Sequence, residues 1–110
     1  MKAKFEVEFL EDAIEFLEGL EHKARVKVLY NIDKSRLVND PKLFKKLDSE
    51  IWEFRTKYAG NQYRMLAFWT KEKGQLSLVF ATHGFVKKVS KVPKSEIEKA
   101  HAIRKQYLEL

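Results

Sequence analysis

The sequence predicts a single α+β domain over residues 1–110: a small, mainly antiparallel sheet with two helices before it and one after it. Three observations carry this. The apolar pattern switches from period two at the N-terminus to helical spacing and back to period two. Ala59-Gly60 separates two bulky, aromatic runs as a hairpin turn would. Pro93 then opens a last segment with helical spacing.

From Lys4 to Phe9, Phe5, Val7 and Phe9 alternate with Lys4, Glu6 and Glu8, which predicts a half-buried strand. A first helix begins at Glu11, with Ala13, Ile14, Leu17 and Leu20 on its inward stripe. Glu11 and Asp12 sit in its first turn, where the helix dipole favours anions, and Gly19 kinks or ends it. A second helix is predicted from about His22 to Val38, with Ala24, Val28, Leu29 and Ile32 inward and Lys23, Lys27 and Lys34 outward. Asn39-Asp40-Pro41 stops it. Pro41 to Ser49 reads as a short turn of helix bringing Leu43, Phe44 and Leu47 to the core.

Ile51–Tyr58 and Asn61–Trp69 are the strands of the hairpin, with Gly60 supplying positive φ. Gln75 to Lys87 is a further strand, entered through a turn at Lys73-Gly74 and bulged near Gly84. In the last helix Ile97, Ala100, Ile103 and Tyr107 face inward, and Ser95 and Glu96 lie in its first turn. The expected order is β-α-α-(short helix)-β-β-β-α, with the helices packed mainly on one face of the sheet.

A chain of 110 residues supports one hydrophobic core, and 45% hydrophobic residues without Ser, Pro or Gly tracts exclude a disordered linker. There is no cysteine, so neither disulfides nor a thiolate zinc site holds the fold, and a reducing cytoplasm suits it. No apolar signal core and no run of eighteen apolar residues is present, so a cytoplasmic protein with no membrane partner is expected. Residues 1–50 carry ten Lys/Arg against eleven Asp/Glu, a net of −1, whereas residues 51–110 carry twelve against five, a net of +7. The excess positive charge thus lies in the C-terminal half, as a polyanion-binding face requires.

A two-residue turn at Ala59-Gly60 sets Arg55 opposite Arg64 and Lys57 opposite Gln62, on one face with Glu53, while Trp52, Phe54, Tyr63 and Met65 take the other face to the core. Like charges directly across a strand pair are destabilising by up to about 1 kcal/mol, so two facing arginines point to an anion between them. Lys87 and Lys88 end the following strand and add the point charges that phosphate recognition uses beside arginine forks. The alternative is a solvated surface in which Glu53 neutralises one arginine. His22, His83 and His101 are scattered, with no metal-ligand spacing, no Gly-rich phosphate loop and no Ser-His-Asp arrangement. Hydrolytic chemistry would therefore fall to Lys, Arg, His or Tyr without a metal or cofactor. His83 is either a proton exchanger or a buried structural side chain, and Phe85 either stacks on an RNA base or belongs to the core.

Taken together, Ile51-Trp52-Glu53-Phe54-Arg55, Tyr63-Arg64-Met65-Leu66 and His83-Gly84-Phe85-Val86-Lys87-Lys88, with Pro93 opening the last helix, resemble the phage-related HigB branch of the RelE/ParE toxins. The resemblance implies a RelE-like fold and a type II toxin–antitoxin toxin that cuts mRNA in the ribosomal A site without metal. It further implies attack of a ribose 2′-OH on the adjacent phosphate. Arg55 and Arg64 match the family's hairpin arginines, and Phe85, Lys87 and Lys88 its terminal-strand motif. By this likeness Arg64 stabilises the transition state and Lys87 or Lys88 binds phosphate or transfers a proton. The residues expected to bind RNA are Arg55 and Phe85, which match the family, together with Lys57 and Lys91 from the basic half of the chain. Where the RelE branch often carries a tyrosine, this chain has Phe85, which cannot transfer a proton; Lys57 and His83 remain as candidate bases.

The implied partners are mRNA, the 16S surface of the ribosome and a cognate helix-turn-helix antitoxin. Two other functions fit the same fold: a ParE-like inhibitor of DNA gyrase, and an inactive module that binds nucleic acid or antitoxin.

Overall fold

The structure is a computed structural model and describes residues 2–70 and 77–109. Its elements are β1 (Phe5–Phe9), α1 (Glu11–Glu18), α2 (His22–Ser35), β2 (Phe44–Lys46), β3 (Trp52–Tyr58), β4 (Asn61–Thr70), β5 (Ser77–Lys87) and α3 (Lys94–Leu108). The five strands form one sheet in the order β1-β5-β4-β3-β2. Every pairing is antiparallel except that of β1 with β5. The expected turn at Lys73-Gly74 and the start of the last strand at Gln75 lie outside the described residues.

The hairpin follows the sequence closely. Ala59 and Gly60 both have positive φ, 49° and 80°, the left-handed pair that a two-residue turn needs to match strand twist. That turn fixes the register, with Arg55 opposite Arg64 and Lys57 opposite Gln62.

The segment Pro41–Ser49 corrects the expected short helix. After a turn, Phe44–Lys46 forms the edge strand β2 against β3, with Phe44 opposite Phe54. The Phe44 ring stacks 4.3 Å from Phe54 and 4.9 Å from Trp52. This cross-strand aromatic packing decides the conformation where the Leu43, Phe44, Leu47 spacing suggested a helix. The sheet curls so far that Phe5, from the opposite edge, reaches within 5.3 Å of the Phe44 ring.

Two of the three helices share one face of the sheet, in line with the expectation that the helices lie mainly on one face, and the third packs on the other. On the first face, Ala13 and Leu17 of α1 and Ala24, Val28 and Ile32 of α2 bury against Phe5, Phe54, Met65, Val79 and Ala81. On the second, Ala100, Ile97 and Tyr107 of α3 pack on Ile51, Leu66, Phe68 and Phe80. Two inward assignments fail, since Ile14 is 46% and Leu29 37% exposed. Helix α2 also ends at Ser35, not Val38. Arg36 leaves the helix to tie down β1, donating from Nε to the Phe5 carbonyl at 2.9 Å and pairing with Glu6 at 2.8 Å.

A bulge is present, but at Thr82. Leu66 pairs with His83 and Ala67 with Ala81, leaving Thr82 as the extra residue. Its hydroxyl lies 3.2 Å from the Leu66 carbonyl oxygen, which the broken ladder exposes. Gly84 has a different role: a Cβ there would fall 2.2 Å from Phe16 Cδ2, so the glycine lets α1 seat against the sheet.

Charged contacts fix α3 in place. His101 Nε2 lies 2.7 Å from Asp48, Arg104 3.2 Å from Glu50 and Lys99 3.6 Å from Asp12. Asp48 also accepts from the Glu50 and Ile51 amides in the turn before β3. Burial pulls the Asp48 carboxyl upward, but the His101 bond and these two amides outweigh it and hold it below its ordinary value. The part of this face from Glu53 to the hairpin tip, with Lys45 beside Glu53, carries charged side chains of the site.

Candidate nucleic-acid interface

Strand alternation and the hairpin register place three rows of side chains across one face. Lys45, Glu53, Leu66 and His83 form the first; Arg55, Arg64 and Phe85 the second; Lys57, Gln62 and Lys87 the third. The centre is Glu53, which is 3% exposed. Its Oε1 lies 3.0 Å from Arg55 Nε and 3.6 Å from Arg64 Nε. These distances suit ion pairing, yet neither Nε is aligned for a hydrogen bond and Glu53 Oε2 has no partner among the described residues. One carboxylate thus neutralises two guanidiniums only in part.

The two arginines differ in reach. The Arg55 side chain is 29% exposed and the Arg64 side chain only 2%. Arg64 donates to the Tyr63 carbonyl at 3.2 Å and to Gln62 Oε1 at 2.6 Å. Burial lowers its pKa, with Glu53 opposing and Arg55 adding to the shift. Arg64 is therefore a fixed positive charge behind the surface, and Arg55 is the guanidinium that a ligand meets first.

Arg55 lies between two open depressions. One, of about 310 Å³, is lined by Lys42, Arg55, Thr56, Lys57, Gln62 and Arg64. The other, of about 300 Å³, takes Lys45, Glu53, Arg55, Lys87 and Lys91 among its walls. Lysine and arginine around a shallow, open surface suit the phosphates of an extended polyanion. Lys87 is half-buried; burial lowers its pKa first, and the charge of Arg64 adds to this. Its ammonium is accordingly a better proton donor than a free lysine's.

Of the residues expected here, the structure brings together Arg55, Arg64, Lys57, Lys87 and Lys91. Lys88, one position beyond β5, is exposed and lines neither depression. Phe85 is half-buried against the α3 core, with its ring 5.9 Å from that of His83. His83 is 2% exposed, and both ring nitrogens are engaged, Nδ1 with Thr82 Oγ1 at 3.0 Å and Nε2 with Glu96 at 3.1 Å. The structure thus gives His83 a packing role under α3.

Sequence reasoning missed Lys42 and Lys45, because the Pro41–Ser49 segment was read as helix. The alternation of Phe44 and Lys45 was the signal available for β2.

A family model described as phage-derived Gp49-like protein (DUF891) matches residues 15–105. The chain belongs to that family. No curated protein matches it. The matched region of the Gp49-like chain runs from within α1 to within α3 and includes every residue of both depressions. The family is toxin-like and related to RelE and HigB.

Burial of His83 pushes its pKa below the ordinary 6.5, with the Glu96 hydrogen bond opposing. Below that ordinary value the unfolded chain binds a proton at this site that the folded chain does not. Stability is therefore fully present above about pH 6.5 and falls as pH drops toward the lowered folded pKa, by at most about 1.4 kcal/mol per pH unit. Urea unfolding between about pH 7 and pH 5 is expected to show a shallower fall for His83→Gln than for the parent. Equal slopes would mean that His83 is not buried as the neutral form.

Proposed function

We propose that this Gp49-like chain is the toxin of a type II toxin–antitoxin pair, of the HigB-like branch of the RelE/ParE toxins, cutting mRNA in the ribosomal A site. The observation that carries this reading is the Arg55–Arg64 cross-strand pair, shared with the single carboxylate of Glu53 and set between two lysine-lined depressions. Family membership supports the toxin class, and the strand order around the hairpin is compatible with a RelE-like fold.

In this reading the mRNA backbone lies across Arg55, with Lys57 and Lys42 on one side and Lys45, Lys87 and Lys91 on the other. The ribose 2′-oxygen attacks the adjacent phosphorus, the bond from phosphorus to the 5′-oxygen breaks, and a 2′,3′-cyclic phosphate forms. Arg55 contacts the developing equatorial charge and Arg64 stabilises it from behind. Lys87 protonates the departing 5′-oxygen, and Lys57, acting in its neutral amine form, is the candidate to accept the 2′-OH proton. The reading uses the chain's own side chains for every step. The partners are the ribosome with its mRNA and a cognate helix-turn-helix antitoxin.

Induction of the chain in a bacterial host is expected to arrest growth and to create new mRNA 5′ ends in translated transcripts only. Growth arrest without new ends, accompanied by loss of DNA supercoiling activity, would favour gyrase inhibition instead.

A further inference from the structure

The outward faces of α1 and α2 are built alike and charged oppositely. On α1, Glu11, Ile14, Glu15 and Glu18 are exposed at positions i, i+3, i+4 and i+7, one stripe of the helix. On α2, Lys23, Val26, Lys27, Tyr30 and Lys34 fall at i, i+3, i+4, i+7 and i+11, again one stripe. Val26 is 51% and Tyr30 59% exposed, and Lys27 Nζ sits 5.4 Å over the Tyr30 ring. An acidic ridge with an isoleucine in it and a basic ridge with a valine and a tyrosine in it therefore lie on two helices that cover the same face of the sheet.

Neither ridge is neutralised within the chain. Among the described residues none of Glu11, Glu15, Glu18, Lys23, Lys27 and Lys34 forms an ion pair. Both helices turn their apolar sides to the same core, which leaves the charged stripes off it. Within each helix the like charges at i, i+4, Glu11 with Glu15 and Lys23 with Lys27, repel. An acidic partner segment would satisfy α2 alone; a surface carrying both signs satisfies both helices.

We propose that this double ridge is a self-association surface on which a second copy of the chain docks, α1 of each copy lying on α2 of the other. The interface is isologous, and its symmetry follows from charge. A two-fold axis running across the helices would set α1 on α1 and α2 on α2, like charge on like. An axis running along them sets Glu11, Glu15 and Glu18 against Lys23, Lys27 and Lys34, twice per dimer, and buries Ile14, Val26 and Tyr30 between. The cleft with Arg55 is on the other face of the sheet and stays open in both copies.

Charge reversal tests this with the full chain. Light scattering after gel filtration is expected to show a dimer for the parent and monomers for both Lys23→Glu/Lys27→Glu and Glu15→Lys/Glu18→Lys. Self-association of each variant should weaken by roughly a hundredfold. An equimolar mixture of the two variants is expected to restore the dimer, since one contact is then native and the other has its signs exchanged. Circular dichroism checks that each variant is folded. A monomeric parent at every soluble concentration, reversed variants that remain dimers, or a folded mixture that stays monomeric would each overturn the proposal.

Discussion

Arg55→Ala is expected to abolish growth arrest and to cut the rate of mRNA cleavage by roughly 10²-fold or more, the cost of deleting one preorganised charge donor at a reacting centre. The guanidinium removed is the one that both depressions share, and its side chain is 29% exposed. The variant should still fold. Glu53 keeps Arg64 within 3.6 Å as its remaining ion-pair partner, and removing one partner of a buried carboxylate costs at most about 3–5 kcal/mol, less than the stability of a typical domain. The check is the cleavage rate on programmed ribosomes together with a melting curve. Full activity in the folded variant would remove Arg55 from the site, and Lys57, Lys87 and Lys91 would then need another anchor.

The largest effect on stability is expected at Gly84. A methyl group there meets the Phe16 ring at 2.2 to 2.6 Å, closer than any real Cβ contact. Relief requires Phe16 to leave its position or α1 to lift from the sheet, and overpacking of this kind costs about 1–3 kcal/mol or more. Gly84→Ala should therefore lower the urea midpoint markedly. Phe16→Ala leaves a cavity and is destabilising by itself, yet adding it to Gly84→Ala should cost less than the two single changes together, because the clash has gone. Additive losses in a double-mutant cycle would contradict the contact.

How much of this was legible in the sequence depended on whether the deciding interaction was local. The β3–β4 register follows from Ala59-Gly60, since a two-residue turn with positive φ leaves one pairing, and that pairing sets Arg55 opposite Arg64. Gly84 was singled out as exceptional within a strand, but periodicity cannot distinguish a glycine at a bulge from one beneath a ring of a distant helix. The sequence places helix α3 along the chain but does not assign it a face, because both faces of the sheet are apolar and the sequence does not order the layers.

The site divided in the same way. Arg55, Lys57 and Lys87 are where strand alternation sets them. The pairing of Arg64 with Glu53, the engagement of His83 by Thr82 and Glu96, and the arrival of Lys45 on β2 all depend on pairs distant in sequence or on the bulge. Helical spacing likewise marked Ile14 and Leu29 for the core, although the sheet face beneath α1 and α2 has room for only the narrower stripes through Ala13, Leu17, Ala24, Val28 and Ile32.

The most direct test of the central claim is a reconstituted one: purified ribosomes carrying mRNA with an empty A site, mixed with the folded chain or with Arg55→Ala, and the RNA ends mapped. The proposed function predicts a single cut within the A-site codon, a 2′,3′-cyclic phosphate on the upstream fragment, no cut in the same mRNA without ribosomes, and loss of the cut in Arg55→Ala. Intact mRNA on ribosomes with the parent chain, or equal cutting by parent and variant, would contradict it.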